Sequence, residues 1–421
     1  MSHIVIDGGT PLKGKLKASG SKNAALPILA ATVLIGEKVT LKNVPDLKDV
    51  HTMLSILQHV GKKVTFYNNT VIVDSGKLLI GSIPYELVGK MRASFNLLGP
   101  LTVACGWAKV GKPGGCNIGQ RPVDYHIDGL KAMGFNIFEE HGDIHSKMTD
   151  NSTKKIRYEL PFPSVGTTEQ LMTSAAFLPG MELELTNVAR EPEIEDLQNF
   201  LNAAGAKITG AGTDKITVIG SQNQLGIEYE IIPDRIEACT YILASVVTRG
   251  EMIVEGLFAK YSEAFLKKLE EMGVDVQANE KSVSVSTKDR IKPLKISAKP
   301  YPGFPTDLQP IITAVLCIAD GDSQVEELVF ENRFGYVDEL NRMGARIKVH
   351  DRTAFINGVE RLSGTRVSAP DIRAAAALLV AALSAEGESI IENTSHIFRG
   401  YENLREKFRS LGAKLEIYPD E

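Results

Sequence analysis

The chain has 421 residues, of which 43% are hydrophobic and 24% charged, and its formal net charge is −5. That is ordinary globular composition with enough apolar material for large cores, so extended disorder is excluded. The acidic balance offers no general basic field for nucleic acid or anionic lipid. Length alone predicts two or three domains.

The chain begins Met1-Ser2-His3-Ile4, without the basic and then apolar segments of a signal peptide. The next residues alternate in short runs and read as a hairpin-like start, placed with the C-terminal part because chain ends often lie together. The longest apolar runs, Ala24–Ile35 and Ala374–Leu383, fall short of the ~20 residues a spanning helix needs. Cys105, Cys116, Cys239 and Cys317 are too scattered for a disulfide framework, and none forms a CxxC pair for zinc. A soluble protein of the reducing cytoplasm is expected.

From Ser21 onward one pattern recurs. An apolar, Ala-rich helix (Asn23–Leu34 in the first copy) leads to Gly36, then to a strand beginning Val39-Thr-Leu. A loop and a second helix follow and end at Leu57-Gln-His-Val-Gly61, before alternating strands. The phrase returns as Leu130-Lys-Ala-Met-Gly134, Leu201-Asn-Ala-Ala-Gly205, Leu269-Glu-Glu-Met-Gly273, Leu340-Asn-Arg-Met-Gly344 and Phe408-Arg-Ser-Leu-Gly412. The intervals are 73, 71, 68, 71 and 68 residues, so the chain is built from six copies of one unit. A glycine at this place reads as a helix stop in the left-handed region. A second series, Gly36, Gly111, Gly180, Gly250, Gly321 and Gly387, leads its partners by 23 or 25 residues. Helices alternating with strands predict an α/β protein. The tract Ile231-Ile-Pro-Asp-Arg235 follows the third copy and marks the boundary between a 22–232 domain and a second of 1–21 plus 233–421.

In every copy a cation stands near the start of the second helix: Lys48, Arg121, Arg190, Lys260, Arg333 and Arg399. The helix dipole disfavours a cation there, so its recurrence points to anion binding rather than helix support. Any one of them alone reads equally well as solvated surface charge. The first helices open with Ser21-Lys22, Met91-Arg92, Ser164-Val165-Gly166, Asp234-Arg235, Thr306-Asp307 and Asp371-Ile372-Arg373. Ser, Thr and Asp are caps, whereas Lys22, Arg92, Arg235 and Arg373 are not explained by capping. Cations gathered in an acidic protein suggest a small polyanionic substrate.

The second copy carries Lys112-Pro-Gly-Gly-Cys116-Asn-Ile-Gly-Gln-Arg121-Pro122, a loop with a thiol near a cation. Spacing leaves two readings of Cys116 open, a structural thiol or a reactive one of lowered pKa. The loop is not a Walker A sequence. His126 alone reads as hydrogen-bonded structure, and no group has metal spacing.

Ser21-Lys22-Asn23, Met91-Arg92-Ala-Ser94, Pro113-Gly-Gly-Cys116, Gly119-Gln-Arg121-Pro122-Val123-Asp124, Ala189-Arg-Glu-Pro-Glu-Ile194, Phe304-Pro-Thr-Asp307, Phe330-Glu-Asn-Arg333 and Arg399-Gly-Tyr-Glu402 lie in order along the whole chain. Together they resemble the bacterial UDP-N-acetylglucosamine enolpyruvyl transferases (1-carboxyvinyltransferases). The resemblance implies the enolpyruvyl transferase fold, a two-domain inside-out α/β barrel with three copies per domain and the active site in the cleft between them. It implies transfer of the enolpyruvyl group of phosphoenolpyruvate to the 3-hydroxyl of UDP-N-acetylglucosamine, with phosphate leaving, the first committed step of peptidoglycan synthesis. No metal or organic cofactor is implied, and the partners are the two small substrates.

By resemblance, Cys116 is the proton donor, or the thiol that adds to phosphoenolpyruvate, and the target of fosfomycin. Asp307 is the base near the 3-hydroxyl. Lys22, Arg121 and Arg399 clamp phosphoenolpyruvate, beside Asn23, with Arg92 and Arg373 in support. The sugar nucleotide falls to Asn23, Arg92, Arg121, Pro122, Val123, Asp124, Tyr125, Ser164, Val165, Gly166, Asp307 and Val329, with His126 and Arg333 supporting. Phe162 replaces a Lys of some members and Asn96 a Trp, which bears on the uracil contacts and packing rather than the reaction. The alternatives are the sister enzyme acting on shikimate 3-phosphate, a homologue that only binds a sugar nucleotide, and a six-unit DNA clamp. The Pro-Gly-Gly-Cys loop, the intact Lys22, Cys116, Asp307 and Arg399, and the placing of cations at helix starts argue against them in turn.

Overall fold

The structure, a computed structural model, describes residues 2–76, 79–112, 123–149 and 154–418. Its described residues form two compact units. One, the continuous unit, runs from Gly20 to Ile232; the other, the split unit, combines the residues before Gly20 with those from Pro233 onward.

Each unit holds three four-stranded sheets, and all six sheets are wired alike: one parallel pair at an edge, then two antiparallel pairs. In the fifth copy, for example, Lys295–Ala298 lies parallel to Asp322–Glu327, which pairs with Thr353–Asn357, which pairs with Ile347–His350. The parallel edge strand precedes the first helix and is absent from the pattern read in the sequence.

Two of these edge strands are exchanged where the chain crosses between units. Lys13–Lys17, just before the first copy, pairs with Glu251–Glu255 of the fourth. Glu228–Glu230, just before the fourth copy, pairs with Val39–Lys42 of the first. His3–Asp7 enters the sixth sheet between Glu388–Glu392 and Lys414–Tyr418. The first two strands therefore belong to different sheets, and the hairpin expected at the start does not form.

The stop glycines behave as their chemistry requires: Gly61, Gly134, Gly205, Gly273, Gly344 and Gly412 all have φ between 88° and 104°. In the leading series only Gly180, Gly321 and Gly387 have positive φ. Gly250 is needed for space instead, since a Cβ there would sit 1.9 Å from the Leu12 carbonyl oxygen.

The first helices form the centre of each unit and are apolar on nearly every side, as enclosed helices must be. Lys22–Ala31 and Val165–Ala176 pack together in the continuous unit, and Arg235–Val247, Gln309–Leu316 and Ile372–Ser384 in the split unit. Each unit has its own apolar core. Among the described residues no helix is long and apolar enough to cross a membrane.

A buried carboxylate anchors the crossing segment on each side. In the split unit Glu237 accepts from the Ser19 backbone N–H at 2.7 Å, and Lys407 reaches both Glu237 and the Ser19 hydroxyl at 2.6 Å. In the continuous unit Asp196 accepts from the Ile232 N–H at 3.3 Å and the Tyr229 hydroxyl at 2.7 Å. Burial pushes both carboxyls up to about 7, against the pull of Lys407 on the first and the Tyr229 hydrogen bond on the second. Gly20 follows Ser19 in the chain, and a Cβ there would meet the Asn43 carbonyl oxygen at 1.7 Å.

Candidate active site

The residues singled out in the sequence divide between the units. Cys116, Arg121 and Pro122 lie outside the described residues. In the continuous unit Ser21 caps the helix Lys22–Ala31 by accepting from the Ala24 N–H at 3.3 Å. The cation Lys22 is only 8% exposed at that helix start. Its ammonium is balanced by Asp49 of the helix Lys48–His59, 3.2 Å away. Asn23 follows it on the helix, half-buried.

Ser164 caps Val165–Ala176 in the same way, accepting from the Thr167 N–H at 3.4 Å. Gly166, one residue into that helix, lies against His126: a Cβ there would be 3.2 Å from the ring and 3.5 Å from the Asn96 side chain. His126 belongs to the helix Asp124–Ala132, and Val123 precedes it, buried. Asp124 is exposed and Tyr125 half-buried at its start.

The tautomer of His126 follows from its neighbours. Gln170 donates its amide N–H to the Phe95 carbonyl at 2.7 Å, so its Oε1 accepts from His126 Nδ1 at 2.9 Å. Burial lowers the imidazole to about 4 despite this bond, and Arg92 adds to the effect. His126 is thus a neutral ring with Nε2 as its acceptor atom, consistent with a structural role. Asn96 is buried and donates to Glu169 at 2.6 Å. Burial pushes the Glu169 carboxyl up to about 8, with Glu193 and Glu191 adding to the shift.

The split unit gathers opposite charges more tightly. Asp307 sits on a short turn, Thr306–Leu308, that leads into Gln309–Leu316. Arg373 Nη2 donates to its Oδ2 at 2.7 Å, and Arg333 Nη2 to its Oδ1 at 3.0 Å. Arg333 is 4% exposed and Arg373 8%. The carboxylate they share offsets part of the cost of taking two guanidiniums out of water. Burial opposes the charge of Arg373, but Asp307, Tyr401 and Asp234 together outweigh it, and the guanidinium is held more firmly protonated than usual. Arg373 owes its place to Asp371, which caps Ile372–Ser384 by accepting from the Arg373 and Ala374 N–H groups at 2.8 and 3.0 Å. Arg399 ends the turn Thr394–Arg399, half-buried.

Glu327 was missed in the sequence. It is 1% exposed; its Oε1 accepts from the Val329 and Phe330 N–H groups at 2.8 and 3.0 Å, and its Oε2 from the Thr306 hydroxyl at 2.8 Å. One buried carboxylate therefore fixes both the loop with Val329 and the turn with Asp307. A signal existed: Ser323, Val325 and Glu327 share the buried face of one strand, and an acid on such a face is rarely idle.

Among the described residues the helix-start cations are not equivalent. Lys48 is exposed, and it is its neighbour Asp49 that turns inward to Lys22. Arg190 donates to the Gly212 carbonyl at 3.3 Å, and Lys260 lies over the Tyr261 ring at 4.4 Å. Arg333 lies on the Asp307 carboxylate. Cys239 and Cys317 are enclosed, and burial raises both thiols, Cys317 to about 12, so they are inert. Cys105 is half-buried at a helix end and packs against the core.

Helix starts in both units thus carry paired cations and carboxylates. The sequence family described as EPSP synthase (3-phosphoshikimate 1-carboxyvinyltransferase) matches residues 6–408, and the chain belongs to this family of carboxyvinyltransferases. The UDP-N-acetylglucosamine 1-carboxyvinyltransferase of Kosmotoga olearia is 62% identical over 421 residues, covering all of both chains. That of Thermotoga maritima is 49% identical, again over the full length of both. Among solved structures, the enolpyruvyl transferase NikO from Streptomyces tendae superposes with a TM-score of 0.87 at 24% identity, over 99% of this chain and 98% of that one. An EPSP synthase from Acinetobacter baumannii gives 0.78 at 17% identity over the full length of both. These two likenesses establish the enolpyruvyl transferase fold.

Proposed function

We propose that this chain transfers the enolpyruvyl group of phosphoenolpyruvate to the 3-hydroxyl of UDP-N-acetylglucosamine and releases phosphate, the first committed step of peptidoglycan synthesis. The observation that carries the choice of acceptor is the 62% identity, end to end, to a transferase named for that sugar nucleotide.

The chemistry is an addition followed by an elimination. The sugar 3-oxygen bonds to C2 of phosphoenolpyruvate as its hydroxyl proton leaves, and the methylene C3 takes up a proton. Phosphate then departs with its bridging oxygen, C3 loses a proton, and the enol ether remains. Asp307 is assigned the hydroxyl proton. Arg373 and Arg333 orient its two oxygens and leave further lone pairs for the hydroxyl. Cys116 is assigned the proton added to C3, or the thiol that adds to phosphoenolpyruvate. Lys22, Arg121 and Arg399 are assigned to its phosphate and carboxylate, beside Asn23, with Arg92 supporting. Arg373 serves the anion less directly than the sequence implied, since it is committed to Asp307. Val123, Asp124, Tyr125, Ser164, Val165, Gly166 and Val329, with Arg121 and Pro122, are assigned to the sugar nucleotide.

The test is phosphate release from phosphoenolpyruvate with and without UDP-N-acetylglucosamine, for the wild type and Cys116→Asp. Release that requires the sugar nucleotide is expected. A Cys116→Asp enzyme that keeps activity and resists fosfomycin supports proton transfer by the thiol; loss of all activity supports an obligatory covalent step.

A further inference from the structure

Behind the Asp307 pair lies a chain of hydrogen bonds that ends on the central helix of the fourth copy. Tyr401 is 2% exposed, and its hydroxyl lies 2.9 Å from Thr240 Oγ1 and 3.4 Å from Arg373 Nη1. The direction of these bonds is fixed by their ends. The Thr240 hydroxyl donates to the Ile236 carbonyl at 2.8 Å, so its hydrogen is spent within its own helix. The Tyr401 hydrogen therefore goes to Thr240, and the phenol oxygen turns a lone pair toward Arg373. A guanidinium has only donors, so an acceptor is what it needs on the side away from Asp307. The ring adds a second contact, with the guanidinium carbon 6.0 Å from its centroid.

We infer that Tyr401, oriented by Thr240, is a positioning residue of the transfer reaction that sets the guanidinium of Arg373 and through it the carboxylate of Asp307. The inference rests on the proposed role of Asp307 as the proton acceptor. Three first or second helices are tied together by it: Thr240 lies on Arg235–Val247, Arg373 on Ile372–Ser384, and Tyr401 just before Leu404–Ser410. Arg373 Nη2 meets Asp307 at 2.7 Å and Nη1 meets Tyr401, so a guanidinium plane held at both ends cannot rotate away from the carboxylate. Burial keeps the phenol un-ionised despite the nearby cation. Small errors in the placing of a base are costly to a rate, whereas substrate binding by other residues is not touched.

The experiment compares the wild type, Tyr401→Phe, Thr240→Val, Thr240→Ser, Arg373→Lys and the Tyr401→Phe/Arg373→Lys pair in full-length protein. Phosphate release is followed against pH, alongside thermal unfolding. Tyr401→Phe keeps the buried ring and is expected to unfold within a few degrees of the wild type. Its kcat is expected to fall about tenfold with KM for both substrates within about twofold, because the lost group aligns the base and touches neither substrate. The acidic limb of the kcat profile is expected to shift. Thr240→Val reproduces a smaller loss and Thr240→Ser, which keeps the hydroxyl, restores it. In the Arg373→Lys background Tyr401→Phe is expected to cost nothing more, since the two act as one unit. An undiminished kcat in Tyr401→Phe, a loss that multiplies in the double variant, or a loss confined to KM would overturn the inference. Absence of release by the wild type would instead remove the reading of the function on which it rests.

Discussion

The two units share one frame and use it in opposite ways. In the split unit, helix starts bring Asp307, Arg333 and Arg373 into direct contact, so two buried guanidiniums share one half-buried carboxylate. In the continuous unit Lys22 is paired with Asp49, and the groups around Gly166 are held neutral: His126 by its low pKa and Glu169 by its high one. The sheet wiring of both is the same. The difference shows that a repeated fold fixes where side chains emerge, while the residue placed there decides whether the spot is ionic or merely polar.

The sharpest way to break this comparison is to remove the shared carboxylate. Asp307→Asn keeps the shape but presents an amide N–H₂ to one of two buried guanidiniums. A loss of about 10²–10⁴ in kcat is expected for a proton acceptor, read by phosphate release under saturating substrates. A loss below tenfold would reduce Asp307 to a structural ion. On the other side, Lys22→Ala leaves Asp49 buried without its ammonium. A cost of about 1–3 kcal/mol is expected in denaturant unfolding, and Lys22→Ala/Asp49→Ala should recover part of it.

Glu327→Gln sharpens the comparison within the split unit. Its amide would face N–H and O–H donors, so the Thr306 turn and the Val329 loop lose a common anchor. About 1–3 kcal/mol of stability should be lost, with a raised KM for the sugar nucleotide. A variant indistinguishable from wild type would show that the two segments are fixed by other contacts.

The smallest effect concerns pH. Glu169 rises from its ordinary value of 4.5 to about 8 in the folded chain. The folded state then keeps a proton that the unfolded state has lost, so the stability it contributes is full below pH 4.5 and is lost as pH rises through about 8. Asp196 and Glu237 act in the same direction up to about 7. The unfolding midpoint should fall between pH 5 and 8, and Glu169→Gln, which stays neutral, should flatten that fall. A midpoint with the same slope in the variant would contradict the assignment of Glu169 as a neutral acid.

Much of the frame was legible in the sequence because its markers are local. A stop glycine, a capping Ser or Asp and an alternating strand are each readable in a few residues, and Gly61 through Gly412 confirm it in their φ angles. The parallel edge strands were not legible: Ser82–Ile83 has two residues and Glu228–Glu230 three, too short for any period. Nor was the exchange of Lys13–Lys17 and Glu228–Glu230 between sheets, which depends on where the chain crosses. In the site, Asp307, Arg333 and Arg373 stood out as charges at helix starts. The groups behind the site did not, because the Tyr401 bond to Arg373, the Asp49 bond to Lys22 and the Glu327 bond to Thr306 span 28, 27 and 21 residues. Lys48 drew attention for its repeat position, while the working side chain was the acid beside it.

The measurement that tests the central claim most directly is phosphate release from phosphoenolpyruvate by the wild type, with UDP-N-acetylglucosamine or shikimate 3-phosphate as the sole acceptor. Release with the sugar nucleotide, and none above background with shikimate 3-phosphate, is the predicted result. Release with shikimate 3-phosphate alone, or with neither, would contradict it.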